Sequence, residues 1–75
     1  MSDDHQPGRA WAAAYAERLG MRAPTDEEFE AILELAAVAA HGSERVAAPV
    51  ACWLAGRAGL DLAAAISAAT VIGDG

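Results

Sequence analysis

Few residues of this 75-residue chain could do chemistry, and they gather in two places. Glu30, Glu34 and His41 fall within roughly 40° of one another on a helix of 3.6 residues per turn, with Glu27 at the edge. Carboxylates and an imidazole on one face can bind a divalent metal. Di-iron carboxylate bundles, however, repeat a Glu-x-x-His pair on two helices, and this chain has no such repeat. Like charges four residues apart also repel. The face therefore reads as a solvated acidic surface, with docking of a basic partner at Glu30 and Glu34 as the functional alternative.

The second place is the connector His41-Gly42-Ser43-Glu44-Arg45, ahead of an expected helix. A helix N-terminus offers free N–H groups to an anion, and an arginine beside it can grip phosphate or carboxylate with two hydrogen bonds. His41 and Arg45 are thus candidate ligand-binding residues. The structural alternative is that His41 caps the preceding helix and Arg45 pairs with a nearby carboxylate. Cys52 has no neighbouring base to activate it as a nucleophile, and it reads as a small core residue. There is no glycine-rich phosphate loop, no serine–histidine–acid pattern and no metal-ligand spacing. Catalysis and a bound cofactor are not expected.

The elements that carry these residues are expected to be helices throughout. Alanine, the strongest helix former, makes up more than a quarter of the chain. Residues 1–7 read as a disordered lead-in, 8–72 as one helical domain and 73–75 as a frayed tail. The first helix runs from Gly8 or Arg9 to Leu19, with Trp11, Tyr15 and Leu19 as an apolar stripe and Gly20 as its left-handed cap. Thr25-Asp26-Glu27-Glu28 is a capping box, and it opens a second helix that ends near His41 with Gly42 as cap. On that helix Phe29, Ile32, Leu33, Ala36 and Ala40 share a face. Leu35 and Val38 point elsewhere, toward another helix or another subunit.

A third helix is expected from about Ala48 to Arg57, with Pro49 in its first turn. Val50, Trp53 and Leu54 form one face of it, and Ala51, Cys52, Ala55 and Gly56 form an adjacent face of small residues. The larger face is expected to be core, with Trp53 and Trp11 as anchors and Arg57 snorkelling to water. The small face lets another helix approach closely, and Ala51 and Ala55 are expected to meet a partner provided they do not lie in the core of the monomer. Asp61 caps a fourth helix, Leu62 to Ile72, with Leu62, Ala65, Ile66, Ala69 and Ile72 buried. Short connectors imply an all-α bundle of about four short helices, up-and-down or orthogonal.

Composition narrows the partners. The net charge of −6, with no lysine among the five basic residues, disfavours nucleic acid and anionic membranes. The longest apolar stretch, Val46 to Ala55, is too short to span a bilayer. The polar, acidic opening Met1-Ser2-Asp3-Asp4-His5 is unlike a secretory signal. One cysteine permits no internal disulfide and fits a reducing compartment. A cytoplasmic protein is expected.

The segment His41-Gly42-Ser43-Glu44-Arg45-Val46-Ala47-Ala48-Pro49, followed by Leu54 and Gly56, resembles a small helical domain of unknown function from high-GC actinobacteria. That family's pattern is His-Gly-x-x-Arg-Pro-Ala-Ala-Pro, then an apolar helix containing Leu-x-Gly. An opening tryptophan helix ending in Leu-Gly precedes it, matched by Trp11 and Leu19-Gly20. The resemblance covers most of residues 9 to 70 and departs at Val46, where the pattern has proline. Members occur alone or joined to the C-terminal side of a molybdenum cofactor guanylyltransferase, which implies a role in maturation or delivery of that cofactor. No nucleotide-binding strand–loop is present, so the guanylyltransferase activity itself is not expected here.

Two functions follow as expectations. One is an interaction module docking on a molybdenum cofactor guanylyltransferase or a molybdoenzyme through the small-residue and acidic faces. The other is a binding domain for a nucleotide or pterin phosphate at His41 and Arg45. A plain homodimer stands behind both.

Overall fold

The computed structural model describes residues 7–59 and 61–74, and the side chains among these up to Ile72. The expected lead-in therefore lies outside the described residues except for Pro7, as does Gly75 of the expected tail. Four helices make up the described chain: α1 Gly8–Arg18, α2 Asp26–Gly42, α3 Ala47–Ala58 and α4 Leu62–Asp74. No strand occurs among these residues. The fold is an all-α bundle, and no described helix is long and apolar enough to cross a membrane.

Local chemistry sets the helix ends. Pro7 and Gly8 open α1, and its C-terminus closes on Gly20 at φ +73. There Gly20 N–H donates to Glu17 O at 3.0 Å and Met21 N–H to Ala16 O at 2.8 Å. This is the paired bonding of a Schellman cap, which needs the left-handed residue that glycine supplies. At the start of α2, Glu28 N–H donates to Thr25 Oγ1 at 3.0 Å and Thr25 N–H to Glu28 Oε1 at 2.9 Å. Asp61 Oδ1 accepts from Ala64 N–H at 2.8 Å and caps α4.

Several boundaries differ from the sequence expectation. Gly42 belongs to α2 and has no positive φ, so Ser43 rather than Gly42 ends that helix. Helix α3 starts one residue early, at Ala47, because Val46 is already in helical geometry. Helix α4 continues through Gly73 and Asp74, which the sequence placed in a frayed tail.

Helix α2 is the centre of the bundle, with α3 and α4 both packed against it and α1 attached more sparsely. Its buried arc is correspondingly wide. Leu35 is the most enclosed side chain, only 2 % exposed, while Leu33 faces solvent. Phe29, Ile32, Ala36 and Ala40 are half-buried on the flank of that arc. Leu35 is therefore a core residue and is not available to a partner, and Val38 is half-buried beside it. The sequence stripe marks one flank, whereas two covering helices bury the surface between their contacts. Apart from Leu35, the buried positions among the described residues are Ala16 and Ala65, so the core is thin and built largely from alanine.

Candidate functional site

Helix α3 has two apolar faces, and the structure uses them in the opposite sense to the sequence expectation. The small residues Ala47, Ala48, Ala51, Cys52 and Ala55 are half-buried, and Cys52 Sγ lies 4.0 Å from the Ile32 carbonyl of α2 as a weak donor. Their lack of bulk lets α3 and α2 approach closely. Ala51 and Ala55, expected to receive a partner helix, are thus engaged within the chain. Val50, Trp53 and Leu54 face outward, with Trp53 61 % exposed. Arg57 lies over the Trp53 ring, its guanidinium carbon 5.2 Å from the centroid.

Helix α1 repeats the inversion. Ala16 is buried, whereas Trp11, Tyr15 and Leu19 are each more than half exposed. Trp11 and Tyr15 rings sit 5.1 Å apart, tilted against each other, and cover one another rather than a core. Neither tryptophan is the core anchor that its size suggests. In all, eleven large apolar side chains among the described residues are exposed, ending with Ile72 at 80 %.

Between these faces, α2, α3 and α4 enclose a groove of about 270 Å³. Val38, Val50, Ala51, Leu54, Ala69 and Ile72 form its apolar walls, and none of the described residues lining it is charged. Val38 and Ala51 contribute here as groove walls. Sequence periodicity could not find this groove, because its walls come from three helices whose relative placement no single stripe encodes.

The acidic face is quieter than its composition suggests. Asp26, Glu27, Glu30 and Glu34 surround a shallow depression. Glu30 and Asp26 are held by Arg9 of α1, the latter at 3.4 Å. Glu30 is therefore already partnered, while Glu34 is exposed and makes no ion pair among the described residues. Among the described residues no three His, Cys, Asp or Glu side chains gather where they could hold a metal ion.

His41 and Arg45 are both exposed, in the last turn of α2 and the following turn, and neither lines the groove. The N–H groups of Ala47 and Ala48, which an anion would use, already donate to Glu44 O at 2.9 Å and Arg45 O at 3.1 Å. The arrangement gives a ligand little beyond one exposed guanidinium and one exposed imidazole.

Burial pushes the Cys52 thiol up from its ordinary range, opposite to what a nucleophilic cysteine needs. The backbone hydrogen bond from Thr25, helped by Arg22 at 3.4 Å, holds the Glu28 carboxyl below the ordinary glutamate range. Neither shift marks a catalytic group.

No curated protein and no solved structure matches this chain. The profile of one sequence family does, over residues 3–72, and the chain belongs to that family, a domain of unknown function designated DUF6457.

Proposed function

We propose that this chain is a non-catalytic protein-interaction module that acts in maturation or delivery of the molybdenum cofactor in the cytoplasm. The observation that carries the interaction reading is the inversion of α1 and α3, which turn alanines inward and Trp11, Tyr15, Val50, Trp53 and Leu54 outward. Monomeric soluble domains seldom leave large contiguous apolar patches open, and such patches mark interaction sites. Aromatic anchors near a groove are also the residues that dominate binding energy in protein interfaces. A groove with uncharged walls suits the apolar face of a partner helix. The link to molybdenum cofactor proteins rests on the resemblance carried by His41 to Pro49, Leu54 and Gly56, whose family is joined to a guanylyltransferase in some members.

The test is affinity capture of the tagged chain from its native host grown with molybdate, with mass spectrometry of what is retained. Recovery of a molybdenum cofactor guanylyltransferase or a molybdoenzyme, lost with a Trp11→Ser/Tyr15→Ser double variant, supports the reading. Recovery of the bait alone after mild crosslinking overturns it.

A further inference from the structure

The outward face of α3 complements itself. Val46, Val50, Trp53, Leu54 and Arg57 lie within an arc of roughly 100° on the helix, and all five are exposed. Glu44 is exposed in the connector that precedes this stripe, and Arg57 stands at its C-terminal end. Neither makes an ion pair among the described residues. A second copy laid antiparallel about a two-fold axis would bring Val50 opposite Trp53 and Arg57 beside Glu44 of the second copy. A parallel arrangement would set like charges together.

The distribution of charge points the same way. A chain of net charge −6 repels its copies, yet α3 carries no carboxylate and its one charged residue is Arg57. The carboxylates of α2 surround a different surface. An antiparallel α3 pair is therefore a contact where the two copies meet without opposing negative charges. An exposed aromatic of this kind brings about 150–250 Å² when fully buried. With three aliphatic neighbours and the arginine stem, the pair would remove on the order of 500 Å² per copy, reaching the threshold of roughly 1,000 Å² total that a biological interface must clear.

From this we infer that α3 mediates an isologous, antiparallel dimer of this chain through Val46, Val50, Trp53, Leu54 and Arg57. The inference rests on reading the outward apolar faces as interfaces and names the occupant of one of them. Helix α1 is left free for a different partner.

The experiment is sedimentation velocity over a concentration series of the full chain, with helicity checked by circular dichroism. The wild type is expected to rise from 7.7 kDa toward twice that mass. Trp53→Glu should raise the dissociation constant about tenfold or more, as loss of a central aromatic anchor does. Arg57→Glu should raise it roughly two- to fivefold, and Glu44→Arg combined with Arg57→Glu should restore it. In a Trp11→Phe background, Trp53 emission should shift to the blue as concentration rises, which tests the same contact without altering it. A wild type that stays monomeric throughout overturns the pairing, while the capture experiment still decides the wider reading by itself. A dimer indifferent to Trp53→Glu, or a charge reversal that fails to rescue, overturns the antiparallel α3 contact.

Discussion

Arg9 lies across the Phe29 ring, its guanidinium carbon 4.6 Å from the centroid, while it also pairs with Asp26 and Glu30. This one side chain provides much of the link between α1 and α2, since α1 packs only sparsely on the rest. Exposed ion pairs contribute about 0.2–1 kcal/mol and an exposed cation–π contact about 0.5–1 kcal/mol. Arg9→Ala should therefore cost about 1 kcal/mol and loosen α1 before the rest of the bundle. Hydrogen exchange should show faster exchange across Trp11 to Arg18 with α2 little changed. Equal exchange in variant and wild type would mean that other contacts hold α1.

Leu35→Ala should be the most damaging apolar substitution. Leu35 sits at the centre of the arc covered by α3 and α4. Truncating a buried leucine costs about 2–5 kcal/mol, and a domain of this size has only roughly 0.05–0.15 kcal/mol of stability per residue to lose. Urea unfolding should show a transition shifted far down or lost, whereas Leu33→Ala, on the solvent side, should leave it nearly unchanged.

The contrast between Leu33 and Leu35 shows where sequence reading stops. Helix existence and most boundaries were legible, because the Thr25–Glu28 box, the Asp61 cap and the Gly20 and Gly59 turns act through a few adjacent residues. The choice of inner face was not. On α3 both Ala51–Ala55 and Val50–Leu54 are apolar, so periodicity offers two cores and only the distance of approach to α2 selects one. On α2 the second covering helix rotates the buried arc onto Leu35. The groove, built from three helices, left no periodic signal at all. His41 and Arg45 were legible as polar residues near a helix start, but not the fact that Ala47 and Ala48 already spend their N–H groups on the turn.

The capping box predicts an acid-sensitive helix start. Glu28 titrates below an ordinary glutamate in the folded chain, chiefly through the Thr25 N–H and then through Arg22. Its contribution is complete above the unfolded glutamate's pKa and disappears as pH falls through the depressed folded value. Removing the Thr25 side of the box in Thr25→Ala should cost about 1 kcal/mol, or about 4–8 °C in melting temperature. Thermal melts across that acid window should show Glu28→Ala less stable than wild type at neutral pH and the difference closing as Glu28 becomes protonated. A difference that stays constant with pH would assign the loss to something other than the charge.

Cys52 should be slow to alkylate. Its thiol is pushed up by burial against α2 and lies near the Ile32 carbonyl. The neutral form is the one the fold favours, so its stabilisation is present below the unfolded thiol's pKa and is lost as pH rises through the higher folded value. Iodoacetamide labelling near neutral pH should be slower than for a free cysteine, and denaturant should bring it up to the free rate. Labelling at the free rate in the folded chain would show that α3 opens readily from α2.

The two glycines at the end of α3 should respond to alanine in opposite directions. Gly56 is helical, and a Cβ there would meet nothing within 4 Å. Alanine at such a site removes conformational freedom from the unfolded chain, a gain of roughly 0.5–1 kcal/mol. Gly59 also has open space, but its φ of +72 is a left-handed conformation that a Cβ disfavours. Space is thus equal at the two positions and only the backbone differs. Gly59→Ala should cost about 1 kcal/mol or more. Chemical denaturation of both variants should place Gly56→Ala above wild type and Gly59→Ala below it. Because Gly56 lies off the Val46–Arg57 stripe, Gly56→Ala should also leave the concentration dependence of the sedimentation coefficient unchanged. If it weakened association instead, the contacting face of α3 would be the one that carries Gly56, and the small residues beside it would be shared between α2 and a second copy.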